Sequence, residues 1–251
     1  NQNGKVTTKV DNRQTSGFAV AIQSDGKIVF AGEVGNNDGN GFGVFRYNSD
    51  GKLDSTFGSS GIDTIDFQKW NSIRSITIQP DGKIVGAGFT QPDNYHSQFV
   101  LLRFNSDGAL DNSFGGTGIV TTSILGASYE SANSLLLQPD GKIVASGTTE
   151  NGTDTDFAVV RYHSDGTLDN TWGNNGIVTT DFGSEEQGNS IAIQPDGKIV
   201  VASASPFVVA RYISGLSLGV IDLPTSKNSA FVYPNPIEQN ATLEYILNND
   251  E

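Results

Sequence analysis

Aspartates recur in pairs, four residues apart, within the pattern Ser-Asp-Gly-X-Leu-Asp. The pairs are Asp50 and Asp54, Asp107 and Asp111, and Asp165 and Asp169. Carboxylate oxygens are the ligands that calcium prefers, so each pair is a possible metal site. An Asp before Gly also accepts backbone hydrogen bonds in a tight turn, and the chain lacks the Asp/Asn ladder with a closing Glu that marks a calcium loop. The pattern favours turns, and we predict neither a metal site nor a cofactor.

The residue types that usually carry catalysis are few. The chain has two histidines, His96 and His163, and no cysteine. His163 stands where equivalent segments have Asn48 and Asn105, which is typical of an exposed turn residue. The nucleophile elbow, HExxH, Walker and GxGxxG patterns are all missing from the sequence. We therefore predict that the protein is not an enzyme.

Charge and hydrophobicity exclude two further classes. The 251 residues include 15 Lys and Arg against 28 Asp and Glu, a formal net charge of −13. Such an acidic chain is a poor ligand for the phosphates of nucleic acid. No segment approaches the ~18 apolar residues that a transmembrane helix needs, so we expect no direct membrane insertion.

An arginine also recurs, always in the same apolar context. Arg46, Arg103, Arg161 and Arg211 each lie four residues after a phenylalanine, which places both side chains on one face of a strand. An arginine beside a core needs a carboxylate partner. In the first three cases the Asp of the following Leu-Asp is the nearest one, so we predict structural pairs such as Arg103 with Asp111.

These patterns belong to an internal repeat. The string Asp-Gly-Lys-Ile occurs at 25–28, 81–84, 140–143 and 196–199, with spacings of 56, 59 and 56 residues. Short Val-, Ile- and Phe-rich stretches alternate with Asp-Gly turns, as in antiparallel hairpins. In the third unit we predict strands A to D at 134–138, 142–147, 157–162 and 176–180. Four antiparallel strands per unit form a blade, and the all-β chain is predicted to be a β-propeller with four repeat units.

Ring closure is predicted from the two ends of the array. The fourth unit stops after strand C, 207–213, whereas the sequence of residues 4–8 matches the strand-D sequence Gly-Ile-Val-Thr-Thr. We therefore expect residues 4–8 to pair with 207–213 and complete a four-bladed ring. Further repeats upstream would give a larger ring.

The repeated strings resemble a known family. IQPDGKIV, FVVARY, SDGxLDxTFG and NGIVTT are similar to the delta-60 repeat, a bacterial β-propeller repeat of large exported proteins. The resemblance covers residues 1–215 and implies an architecture rather than an activity. It places the propeller at 1–215, ahead of a predicted linker at 216–229.

The last segment, 230–251, resembles a second family. VYPNP followed by ATLEYIL is similar to the start of the C-terminal sorting domain of the type IX secretion system in Bacteroidota, a β-sandwich that is truncated here. We expect two strands joined by a Pro-Asn-Pro bend. The resemblance implies a sorting signal at Tyr233, Pro234, Asn235 and Pro236. It also implies two partners, the outer-membrane translocon and its shuttle protein, and a secreted or cell-surface location.

The two faces of the predicted propeller differ. The A–B and C–D turns form one face, here called the turn face, and are nearly invariant among the units. The B–C loops (33–41, 90–98 and 149–156) and the D–A loops (66–73, 123–133 and 181–189) form the other, the loop face, and differ in every unit. This face carries Trp70, Tyr95, His96 and Tyr129. Exposed aromatic side chains on a rigid scaffold suit binding, although they also cap local hydrophobic edges.

We therefore predict a non-catalytic, secreted or surface-attached propeller and type IX cargo, whose loop face binds an extracellular glycan or surface protein. One alternative is an enzyme, a lyase or hydrolase that works from the central pocket. Another is a passive spacer in a larger adhesin.

Overall fold

The computed structural model describes most of the repeat region and two short strands beyond it. The described residues are 4–36, 39–66, 70–93, 95–124, 126–213, 230–232 and 243–245. No helix long and apolar enough to cross a membrane occurs among them.

The strands fall into four successive repeat units, here called blades 1 to 4, and a terminal pair. Blade 1 contains β1 (Gln14–Ile22), β2 (Ile28–Asn36), β3 (Gly39–Tyr47) and β4 (Ile62–Ile65). Blade 2 contains β5 (Trp70–Ile78), β6 (Ile84–Gln91), β7 (Gln98–Phe104) and β8 (Ile119–Thr122). Blade 3 contains β9 (Glu130–Leu137), β10 (Ile143–Glu150), β11 (Thr155–Tyr162) and β12 (Ile177–Thr180). Blade 4 contains β13 (Ser190–Ile193), β14 (Ile199–Ala202) and β15 (Val209–Tyr212), and the pair is β16 (Ala230–Val232) and β17 (Leu243–Tyr245).

Strands are antiparallel and sequential within each blade, as the repeat predicts. Blades 1 and 2 are joined into one sheet by a single parallel pairing, Asn40 with Trp70. Strand A starts earlier than predicted, because β9 begins at Glu130 and β5 at Trp70. The first two D–A loops are therefore shorter than predicted, whereas the third has its predicted bounds, 181–189. Trp70 is the first residue of a strand rather than a loop residue.

The core lies between the blades. Alternating residues of one strand reach opposite neighbours, since Val100 and Leu102 pack toward blade 1 while Phe99 and Leu101 pack toward blade 3. A third cluster joins blades 3 and 4 through side chains that include Trp172. Burial on both faces explains why the central strands are continuous apolar runs rather than alternating ones.

A polar contact repeats beside this core. Tyr162 at the end of β11 bonds Thr122 at the end of β8 in the preceding blade, with 2.8 Å between hydroxyl oxygens. Tyr212 and Thr180 repeat it at 2.9 Å. Phe104 and Ile65 occupy the same two places between blades 1 and 2, and both join the apolar cluster there. The two positions thus vary together: both carry hydroxyl groups at the later junctions, and both carry apolar side chains between blades 1 and 2.

The predicted ring closure is not formed. Among the described residues, β15 pairs with β14 alone, and residues 4–8 are not part of a strand. Tyr47 of blade 1 instead donates to Thr8, with 2.8 Å between oxygens. Thr8 therefore takes the place against blade 1 that Thr122 takes against blade 3. The match to strand D therefore identified the place of Thr8 correctly. In the structure, however, Thr8 contacts blade 1, and residues 4–8 do not pair with β15.

Because the ring is not closed, one sheet face of blade 1 has no neighbouring blade. Val20 and Ile22 of β1 are exposed there, whereas the corresponding faces of blades 2 to 4 are packed against the preceding blade. In the terminal segment β16 pairs antiparallel with β17, as expected for two strands. The predicted linker, 216–229, and the predicted sorting residues Tyr233, Pro234, Asn235 and Pro236 lie outside the described residues.

Candidate functional site

The aspartates of the turn face serve the backbone. Asp107 accepts a hydrogen bond from the amide of Ala109 at 3.0 Å, and Asp50 and Asp165 accept equivalent bonds two residues ahead. The glycine after each of them has a positive φ, between 81° and 96°. That conformation is costly for residues with a side chain, so the Asp-Gly pair is what the turn requires.

The second aspartate of each pair binds the repeated arginine. Arg103 Nε donates to Asp111 Oδ2 at 2.7 Å, and Arg46–Asp54 and Arg161–Asp169 repeat the bond at 2.8 Å. The guanidinium of Arg103 stacks on Phe114 and also donates to the carbonyl of Ser164 in the next blade. The predicted pairs are confirmed, and Arg46 and Arg103 also clamp two blades together through the carbonyls of Ser106 and Ser164.

The pKa of Asp111 reflects this arrangement. Burial alone would raise it, but hydrogen bonds from Lys83 and Ser113 and the charge of Arg103 hold the pKa well below its usual range. Asp54 is shifted in the same direction by Thr56, Lys27 and Arg46. The turn-face carboxylates are therefore ionised and engaged in holding the blades together.

The predicted aromatic residues are exposed on the loop face. Trp70, Tyr95 and Tyr129 have 50%, 75% and 46% of their surface accessible. Trp70 lies at the junction of blades 1 and 2, and Tyr95 lies in the B–C loop of blade 2. Tyr129 immediately precedes β9, at the junction of blades 2 and 3. These side chains are free to meet a ligand, at two neighbouring junctions.

One carboxylate orders the loop that carries Tyr95 and His96. Asp93 Oδ1 accepts from both backbone amides at 2.7 Å, and its Oδ2 lies 3.0 Å from His96 Nδ1. These bonds, the Tyr95 amide first among them, lower the pKa of Asp93 to about 2. The loop contacts the next one through the amide of Ser97, which donates to the Ser128 carbonyl at 3.1 Å. Tyr95, His96 and Tyr129 thus lie on two loops in direct contact.

A shallow pocket of about 300 Å³ adjoins Tyr129. Its lining residues are Ala127, Ser128, Glu150, Asn151 and Gly152. The amide of Glu150, a lining residue, donates to the backbone carbonyl of Tyr129 at 3.0 Å, so the backbone of Tyr129 lies beside the pocket. Asn151 Nδ2 donates to Asp156 Oδ2 at 2.9 Å, and this bond connects the pocket to a group of carboxylates behind it.

The group consists of Asp156, Asp181 and Glu186, each with a carboxylate oxygen within 4.8 Å of the others. Asp156 is the second residue of β11, Asp181 follows β12, and Glu186 lies in the D–A loop before blade 4. Asp156 and Glu186 are buried and Asp181 is exposed. Glu186 is held by the amide and the hydroxyl of Ser184, at 3.1 and 2.6 Å. Sequence reasoning missed this group, since its members come from three separate segments of the chain.

The charge of Asp156 is disfavoured in this environment. Burial is the main cause, and the Asn151 hydrogen bond opposes it only in part. The nearby carboxylates of Asp181, Asp154 and Glu186 add to the effect, and the pKa of Asp156 rises to about 6. A buried carboxyl among other carboxylates is a common sign of a functional site.

Comparison with known proteins agrees with the repeat. Three segments match the family model "Domain of unknown function (DUF5122) beta-propeller". They are residues 23–57, 79–114 and 138–171, and each runs from an A–B turn to the end of the C–D turn. The three DUF5122 segments contain the arginine clamps, Tyr95, His96 and Asp156. Trp70, Tyr129, Asp181 and Glu186 lie between or after them.

Two solved structures align with the chain at low identity and low TM-score. The crystal structure of Sqt1 from Chaetomium thermophilum aligns with 16% identity and a TM-score of 0.36, over 76% of this chain and 57% of that one. The catalytically inactive H270A virginiamycin B lyase from Staphylococcus aureus, crystallised with quinupristin, aligns with 14% identity and a TM-score of 0.32, over 95% of this chain and 86% of that one. No curated protein matches the chain.

Proposed function

We propose that the chain is a non-catalytic binding propeller whose loop face takes an extracellular glycan or a surface protein. The observation that carries the proposal is the exposure of Trp70, Tyr95 and Tyr129 on the face where the repeats differ. Their junctions are held by the clamps of the opposite face, so the loops are presented on an ordered scaffold. Functional residues typically occupy such loops.

Glycan binding is the more directly testable form of this proposal. The flat rings of Trp and Tyr stack on the apolar faces of sugars, and their polar edges bond hydroxyl groups. Carboxylates and amides beside them, such as Glu150 and Asn151 at the pocket, supply further hydrogen-bonding groups. Tyr129, at the edge of this pocket, is the central contact in the proposed mode.

A glycan array tests this with the full chain and two variants. We expect saturable binding by the wild type and at least a tenfold loss in W70A/Y95A/Y129A. Ile22→Ala is the matched control, because Ile22 is an equally exposed apolar side chain, 71% accessible, on the unpartnered face of β1. An array without signal for folded wild-type protein contradicts glycan binding and favours a protein partner or the passive spacer.

We further propose that the chain is exported as type IX cargo. The support is the sequence of the terminal segment, VYPNP and ATLEYIL. A precursor ending at Gly215 should fold but stay in the periplasm of the host, whereas a complete sorting domain should carry an unrelated protein to the surface. Equal surface delivery of the truncated precursor would contradict this role.

A further inference from the structure

Two of the three carboxylates behind the loop-face pocket, Asp156 and Asp181, lie on one cross-strand row of blade 3. Thr149 on β10 pairs directly with Asp156 on β11, and Phe157 pairs with Thr180, which precedes Asp181. Residues paired across antiparallel strands have their side chains on the same face of the sheet. The row therefore directs a hydroxyl and two carboxylates toward one place, where Glu186 arrives from the next blade.

The three acids do not occur together at the other two junctions of the repeat. At the junction of blades 2 and 3, the repeat positions of Asp156, Asp181 and Glu186 hold Gln98, Ser123 and Glu130. At the junction of blades 1 and 2 they hold Gly41, Asp66 and Asn71. Each of these two junctions thus has a carboxylate at one of the three positions. The junction of blades 3 and 4, here called the third junction, has a carboxylate at all three. The acidity is a property of the third junction and not of the repeat.

Two buried oxygens at this row lack hydrogen-bond partners. They are Asp156 Oδ1 and Thr149 Oγ1, on side chains that are 96% and fully buried. The repeat equivalent of Thr149, Thr90, donates to Asn71 Oδ1 at 2.6 Å. A buried oxygen without a partner is costly, and here two such oxygens belong to residues that are paired across neighbouring strands.

We propose that Asp156, Asp181 and Glu186 bind a calcium ion, with the hydroxyl of Thr149 as a neutral ligand. All four offer hard oxygen ligands, which suit calcium, and no imidazole or thiolate belongs to the group to favour zinc or copper. A divalent cation offsets the mutual repulsion of the three carboxylates. The raised pKa of Asp156 is consistent with a site that lacks its counter-charge. The proposal goes beyond glycan or protein binding and does not depend on it.

Calcium alone is the probe for the first experiment. Full-length protein, freed of metal with a chelator, is titrated with Ca²⁺ by calorimetry at pH 7.5 while the melting temperature is followed in parallel. We expect one saturable site and a rise in melting temperature of several degrees at saturation. Absence of both signals at millimolar Ca²⁺ overturns the proposal, and binding of Mg²⁺ in place of Ca²⁺ overturns the choice of ion.

Two variants place the ion. D156N and D181N should each weaken Ca²⁺ binding at least tenfold, and D181N is the safer one because Asp181 is exposed. Asp66→Asn is the matched control, since Asp66 is the exposed repeat equivalent of Asp181 in blade 1 and should leave binding unchanged. Equal affinity in D181N and the wild type would show that calcium binds elsewhere.

Discussion

The turn face and the loop face use the same residue type in opposite ways. On the turn face, Asp111 is neutralised by Arg103 and Lys83, and the contact is repeated from blade to blade. On the loop face, Asp156 lies among other carboxylates, in an arrangement that occurs at one junction among the described residues. The pKa of the first is lowered and that of the second is raised. Repetition within the chain therefore identifies residues that hold blades together, and departure from it identifies residues available for binding.

The largest effect is expected on the turn face. Arg103→Ala leaves the buried carboxylate of Asp111 with Lys83 and Ser113 but without its guanidinium partner, and it removes the contact to blade 3. We expect the free energy of unfolding to fall by about 3 kcal/mol, as measured by urea denaturation. Arg13→Ala is the control, because Arg13 and Asp66 form an exposed ion pair that should contribute less than about 1 kcal/mol. A double-mutant cycle with D111N that shows no coupling would contradict the clamp.

An intermediate effect is expected from pH in the absence of metal. Because the pKa of Asp156 is about 6 in the folded protein against an ordinary 3.8, the folded state binds more protons than the unfolded state between these values. Stability should therefore fall as pH rises from about 4 to 6, by about 1 kcal/mol after screening. Melting curves in chelator should show this slope for the wild type and a flatter profile for D156N. Identical slopes would mean that Asp156 is not the titrating group.

The smallest effect is expected at the paired tyrosine and threonine. Tyr162→Phe leaves Thr122 without its partner and should lower stability by about 1 kcal/mol in urea denaturation. Adding Thr122→Val makes the pair apolar, as Phe104 and Ile65 are at the preceding junction, and should recover part of the loss. If the loss of stability in the double variant equalled the sum of the losses in the two single variants, the two hydroxyl groups would not be coupled.

Sequence reasoning succeeded where the chain repeats itself. The blades and the Arg103–Asp111 pair follow from spacing, since both are local and occur in several copies. Sequence reasoning was incomplete where contacts are not repeated. The sequence of residues 4–8 matches that of strand D, but a sequence match does not specify which neighbouring segment these residues contact. The group around Asp156 and Glu186 comes from segments of different blades, and only the strand register brings them together.

The division between the two faces is tested most directly by giving the third junction the residues of the second. The double variant D156Q/D181S introduces the repeat equivalents Gln98 and Ser123 while Glu186 keeps its counterpart in Glu130. We predict that its melting temperature in chelator equals or exceeds that of the wild type, and that added Ca²⁺ no longer raises it. A variant that loses several degrees in chelator would show that these carboxylates support the fold. A variant that still responds to Ca²⁺ as the wild type does would show that they do not bind the ion.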